Sequence, residues 1–176
     1  MKIAVLGGGV IGLTTGIELS KRGHSVSIYY KVLPPNPGPA ASAACALWYP
    51  LWTGDKSETP AGYAERITKW AIDSWGKFSE LHQSEQNEYG IYRIKNFEML
   101  WPSDEVAPYL REIDPKYRLI TERDLPRGCA QRLEFFTFVI ETPRYLRQLI
   151  NVFEANGGKL VPREFVNRDD LCELEE

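Results

Sequence analysis

The sequence predicts a mixed α/β fold, α+β overall, on three observations. A short apolar strand runs straight into a glycine turn and a helix within the first 23 residues; an amphipathic stretch and several β-rich runs occupy 61–141; a further helix and strand follow from residue 142. The first and last of these are read as one discontinuous unit, 1–60 with 142–176, and the middle, 61–141, as an inserted sheet-plus-helix unit.

Lys2 to Leu6 is apolar, carries the β-branched Ile3 and Val5 and stops at glycine, so it reads as a buried strand of a parallel sheet. Gly7-Gly8-Gly9-Val10-Ile11-Gly12 follows, a GxGxxG at 7, 9 and 12. Val10, Leu13, Ile17 and Leu19 then fall at helical spacing, Gly23 is a natural stop, and Val26 to Tyr30 supplies a second strand. The chemistry explains the spacing. Gly7 allows a sharp turn out of the strand, Gly9 lets the backbone approach a pyrophosphate, and Gly12 and Gly16 let the helix pack closely. The helix N-terminus, through Val10, Ile11 and Gly12, presents unpaired N–H groups and partial positive charge to phosphates. This strand–turn–helix–strand context makes the segment a Rossmann-like dinucleotide site. An acidic residue at the end of the second strand usually binds the ribose hydroxyls. Here that position reads Tyr29-Tyr30-Lys31-Val32, without Asp or Glu. Either Lys31 meets a 2′-phosphate, as in NADP proteins, or the protein binds FAD and holds its adenosine differently.

From Ala61 to about Glu85, Ile67, Trp70, Ala71, Ser74, Phe78 and Leu81 form an apolar stripe at i, i+3, i+4 spacing, with Trp70 and Trp75 read as core. Ile91–Ile94 and Phe97–Trp101 read as two adjacent strands, Tyr117–Thr121 as another and Glu134–Ile140 as a fourth. Thr142 is placed to cap a helix with Pro143 at its first position, Leu146, Leu149, Ile150 and Phe153 as its buried stripe and Gly157-Gly158 as its end. Lys159 to Val166 then reads as a strand returning to the first sheet.

The chain of 176 residues is 43% hydrophobic and 26% charged, the profile of a folded protein. Its formal charge of −3, from 21 basic and 24 acidic residues without blocks of one sign, argues against nucleic-acid binding. Apolar stretches fall far short of the roughly 20 residues that span a bilayer, so no membrane association is expected. The opening apolar run stops at Gly7-Gly8-Gly9, short of a signal-peptide core, and a non-secreted protein is expected. Cys45, Cys129 and Cys172 are odd in number and widely spaced, and His24 and His82 lack ligand partners at metal spacing, so neither disulfide framework nor metal site is indicated.

Ala41-Ser42-Ala43-Ala44-Cys45-Ala46-Leu47-Trp48-Tyr49-Pro50, the glycine turn, and the run Phe135-Phe136-Thr137-Phe138-Val139-Ile140-Glu141-Thr142-Pro143-Arg144-Tyr145-Leu146 together resemble the D-amino-acid oxidase family of FAD flavoenzymes over nearly the whole chain. The resemblance implies FAD as cofactor, with the backbone of Ser42, Ala43, Ala44, Cys45, Ala46 and Leu47 beside the isoalloxazine ring. Small side chains there admit a flat ring and expose N–H donors where reduced flavin gathers negative charge. It further implies that Lys31 pairs with the adenosine diphosphate portion, that the Phe165 backbone touches adenine, and that Tyr49 neighbours the substrate. The reaction implied is oxidative deamination of a D-amino acid by hydride transfer to flavin N5, with O2 reoxidising the flavin to H2O2.

In the family, the arginine and tyrosines that grip the substrate carboxylate, and a Gly-Arg-Pro-type segment, lie further on. They have no counterpart up to Glu176, so the chain reads as an N-terminal part, inactive alone and without catalytic residues of its own. A cytoplasmic or peroxisomal location is expected, and a homodimer is left open for the intact enzyme. Rival readings are a glycine- or sarcosine-type amine oxidase of the same fold, an NAD(P)-dependent dehydrogenase, and a non-catalytic nucleotide-binding module.

Overall fold

The computed structural model describes residues 1–34, 36, 44, 46–52, 62–121, 125–167 and 169–173. In chain order the elements are β1 (Lys2–Leu6), α1 (Val10–Lys21), β2 (Ser25–Tyr30), α2 (Tyr63–His82), β3 (Ile91–Leu100), α3 (Leu110–Ile113), β4 (Arg118–Ile120), β5 (Gln131–Ile140), α4 (Thr142–Ala155) and β6 (Lys159–Pro162). They fall into two units, Met1–Ala46 with Glu88–Gly90 and Glu141–Glu176, and Leu47–Asn87 with Ile91–Ile140.

The first unit is a parallel sheet in the order β1-β2-β6, with Val5 opposite Ile28, Ile28 opposite Leu160 and Tyr30 opposite Pro162. Leu13 and Ile17 of α1 and Leu146, Leu149 and Phe153 of α4 bury against Val26 and Ile28 of β2. Each such burial is worth about 1.5–3 kcal/mol relative to exposure, and together they dictate which faces of the two helices turn inward. Gly16 sits where a Cβ would come within 2.8 Å of Ile28 and 2.9 Å of Phe153, so its missing side chain sets how closely α1 meets β2 and α4. Gly23 and Gly157, at φ +82° and +79°, follow α1 and α4 as the sequence suggests.

Three expectations change in this unit. β1 is not buried: among the described residues only β2 pairs with it, and Leu6 is 52% exposed. The cap of α4 is Glu141, not Thr142; its backbone carbonyl takes the Tyr145 amide at 2.9 Å, and its side chain makes no cap hydrogen bond. β6 ends at Pro162 instead of running to Val166, because Asp170 draws the Val166 and Asn167 amides into a local turn at 2.6 and 3.1 Å.

The second unit is an antiparallel sheet in the order β3-β5-β4. The two expected strands at 91–94 and 97–101 are one, paired residue for residue with β5 from Ile91 opposite Ile140 to Leu100 opposite Gln131. The ladder continues without a break through Lys95 and Asn96, which lie opposite Phe136 and Phe135. On one sheet face, α2 sets Trp75 and Phe78 against Phe138, at ring centroids of 4.5 and 6.4 Å. Trp75 is therefore packed as expected, whereas Trp70 is 58% exposed: Ala71, buried beside it, faces the sheet, and one residue further round the helix points away. His82 ends α2 with Nδ1 2.8 Å from the Ile91 carbonyl.

Candidate functional site

The glycine turn leaves β1 through Gly7, whose φ of +106° is open to glycine and strained for other residues. Its amide donates to the Tyr29 carbonyl at 2.8 Å, fixing the turn to the end of β2. Gly9 is the extended cap of α1 without a side-chain cap bond, and the first helical bond is Leu13 N–H to its carbonyl at 2.9 Å. The amides of Val10, Ile11 and Gly12 thus lie outside the helical ladder, and no acidic residue stands in the first turn to take their place. A Cβ on Gly9 would meet nothing within 4 Å, whereas one on Gly12 would stand 1.9 Å from the Gly7 carbonyl oxygen. The turn is an open, positively polarised cradle that a diphosphate fits. Gly8 matters as well, since a Cβ there would press on Tyr30 and Leu33 at 3.1 and 3.0 Å.

At the end of β2 stands Lys31, exposed and ion-paired with Glu164. Phe165 follows, its ring edge-on to Tyr29 at 5.7 Å and under the Arg163 guanidinium at 5.1 Å. The parallel register brings the ends of β1, β2 and β6 together, so Gly7, Gly9, Val10, Ile11, Gly12, Lys31 and Phe165 share one end of one sheet.

Of the small-residue segment, Ala44 is exposed and Ala46 half-buried, while Ser42, Ala43 and Cys45 lie outside the described residues. Leu47 and the residues after it belong to the second unit, earlier than the boundary at 61 suggested by the sequence. The reason is pairing with β5. Leu47 bridges Val139, the Trp48 amide donates to the Phe138 carbonyl at 2.8 Å, and the buried Thr137 hydroxyl donates to the Trp48 carbonyl. Trp48 Nε1 donates to Ser74 of α2 at 3.1 Å. Tyr49 stacks on Phe135 at 5.5 Å and donates its hydroxyl to Glu98 of β3. Burial, reinforced by that hydrogen bond and the nearby Glu98 charge, pushes the Tyr49 hydroxyl far above the ordinary tyrosine range, so it stays a donor. Neither Glu98 nor Glu164 stands out in the sequence, since each reaches its partner through strand pairing with no local spacing signal.

Residues 2–170 match the family described as DAO, FAD dependent oxidoreductase. The chain belongs to this family. FAD is the cofactor of these oxidoreductases, and the cradle at Gly7–Gly12 fits its diphosphate. Among its relatives, a D-amino-acid oxidase of Rubrobacter xylanophilus is 30% identical over 98% of this chain and 49% of its own length. A D-aspartate oxidase of Talaromyces thermophilus is 26% identical over 98% of this chain and 52% of its own. The chain thus spans about half the length of the curated relatives it matches. The crystal structure of an iminodiacetate oxidase from Chelativorans sp. BNC1 superposes with a TM-score of 0.63 at 14% identity, over 96% of this chain and 49% of that one, which shows a shared fold. Among the described residues, no helix is long and apolar enough to cross a membrane.

Proposed function

We propose that the chain is the N-terminal part of an FAD-dependent enzyme that oxidises a D-amino acid, the β1-β2-β6 unit serving as FAD-binding domain and the β3-β5-β4 unit as part of the substrate domain. The observation that carries this reading is a D-amino-acid oxidase relative aligned over 98% of the chain, inside a family match covering residues 2–170.

Gly9 leaves room for the diphosphate, Gly7 and Gly12 allow the tight turn that holds it, and the amides of Val10, Ile11 and Gly12 donate to its oxygens. The backbone of Ser42, Ala43, Ala44, Cys45, Ala46 and Leu47 lines the flavin, and that of Phe165 meets adenine. Tyr49 stands beside the substrate; committed as a donor to Glu98 and held protonated, it orients its surroundings and takes no proton. Held by that cradle, FAD would supply a two-electron acceptor for the Cα hydrogen and its electron pair, leaving an imino acid; with the proton given up by the substrate nitrogen, O2 as terminal oxidant would yield H2O2. Groups that grip the substrate carboxylate, and so keep its Cα–H at the ~3–3.5 Å near-attack distance from the acceptor, are assigned to the half of the relatives that this chain does not span.

The test is peroxide release from D-amino acids with FAD and O2. Turnover is expected only when residues downstream of Glu176 are supplied, in one chain or as a second fragment. Stereospecific turnover by residues 1–176 alone would overturn the fragment reading, and a completed protein that oxidises glycine or sarcosine but no D-amino acid would replace the substrate class.

A further inference from the structure

The end of β2 is where a dinucleotide fold places the carboxylate that accepts the ribose hydroxyls, and in this chain that place is held by Lys31. A lysine cannot accept a hydrogen bond. The structure nevertheless puts a carboxylate there. Tyr30 lies opposite Pro162, and the Arg163 amide continues the ladder to the Tyr30 carbonyl at 2.9 Å. Glu164, the next residue, is thereby delivered beside Lys31, 133 residues away in sequence, and the two side chains pair. Both heads remain open, the side chains 68% and 51% exposed, and the same sheet end carries the phosphate cradle, because Gly7 is bonded to Tyr29.

We infer that Glu164 is the ribose-binding carboxylate of this protein, supplied from the end of β6 in place of the residue that β2 lacks. The inference rests on the FAD-binding role of the β1-β2-β6 unit. A carboxylate has about four acceptor positions, and Lys31 occupies one, leaving the rest for the 2′- and 3′-hydroxyls of an adenosine ribose. Lys31 orients the carboxylate and offsets its repulsion from the nearby diphosphate. An exposed pair of this kind adds little to the stability of the fold, so its consequence lies in where it puts the negative charge. The arrangement also decides between the two uses of Lys31 left open by the sequence. A 2′-phosphate would meet the Glu164 carboxylate, so the site takes an unphosphorylated ribose.

Calorimetric titration of the purified protein with FAD, ADP and 2′-deoxy-ADP, for wild type, Glu164→Gln and Lys31→Met, tests the assignment. Wild type should bind ADP about tenfold more tightly than 2′-deoxy-ADP, the value of one hydrogen bond to a charged acceptor. Glu164→Gln should weaken FAD and ADP by about tenfold and bind ADP and 2′-deoxy-ADP alike, whereas Lys31→Met should keep the preference for ADP. Both side chains are exposed, so the variants should retain the wild-type circular dichroism. If Glu164→Gln binds FAD but keeps the wild-type preference for ADP, the assignment to Glu164 is overturned and the cofactor reading stands. If wild type binds neither FAD nor ADP, the cofactor role of this unit falls, and the inference with it.

Discussion

A Cβ added to Gly12 would stand 1.9 Å from the carbonyl oxygen of Gly7, while one added to Gly9 would stand in open space. Two glycines of one motif are thus required for different reasons, and their substitutions should separate. Gly12→Ala forces α1 away from the turn and should lower the unfolding midpoint by several degrees, since backbone must shift to relieve the clash. Gly9→Val should leave the far-ultraviolet circular dichroism and melting temperature near wild type, yet abolish retention of FAD by filling the space a diphosphate needs. Flavin absorbance of the purified variants reads the second effect. Undiminished flavin in Gly9→Val would mean that the glycines serve only the turn.

Tyr49 and Tyr109 predict a particular alkaline behaviour. Burial raises both hydroxyls, Tyr49 also through its bond to Glu98, and Tyr109 donates to the Pro50 carbonyl at 2.6 Å. Because the folded values lie above the ordinary 10.0, the folded state holds these protons more tightly than the unfolded one. Their contribution is fully present below about pH 10 and is lost as pH rises beyond it. Ultraviolet titration should show these two tyrosines ionising together with unfolding. Tyr49→Phe should remove one such group and flatten the fall in stability; normal ionisation of every tyrosine near pH 10 in the folded protein would refute this.

Thr137 is fully buried, and its hydroxyl donates to the carbonyl of Trp48, tying the segment after Leu47 to β5. Thr137→Val keeps the shape and β-propensity but leaves that carbonyl without its donor, at a cost of about 1–3 kcal/mol. Urea unfolding followed by tryptophan fluorescence should register a lower midpoint with an unchanged slope.

The tryptophans of α2 offer a control on packing. Trp75 lies 5.2 Å from the Trp48 ring and 4.5 Å from that of Phe138, whereas Trp70 is 58% exposed. Trp75→Ala should cost about 3–5 kcal/mol through lost burial and a cavity. Trp70→Ala should change stability by no more than about 0.5 kcal/mol. Comparable losses from both would place the helix in a different rotation on its sheet.

By itself, the sequence determined what depends on short-range chemistry. Gly7, Gly9 and Gly12 act within one turn of chain, so the phosphate cradle and α1 were legible from their spacing. The same holds for Gly23 and Gly157 as helix ends and for the apolar stripe of α4, where Leu146, Leu149 and Phe153 repeat with the helical period. Only the tertiary structure decided what depends on register between distant segments. The β2–β6 pairing sets Glu164 beside Lys31, the β3–β5 ladder carries Glu98 to the face where Tyr49 stacks, and Trp48 is drawn to β5 by hydrogen bonds that composition does not encode. Trp70 and Trp75 illustrate the boundary. Hydrophobicity marks both as core, but a helix offers one face to its sheet, and which tryptophan occupies it is fixed by the rotation that best fills the space around Phe138.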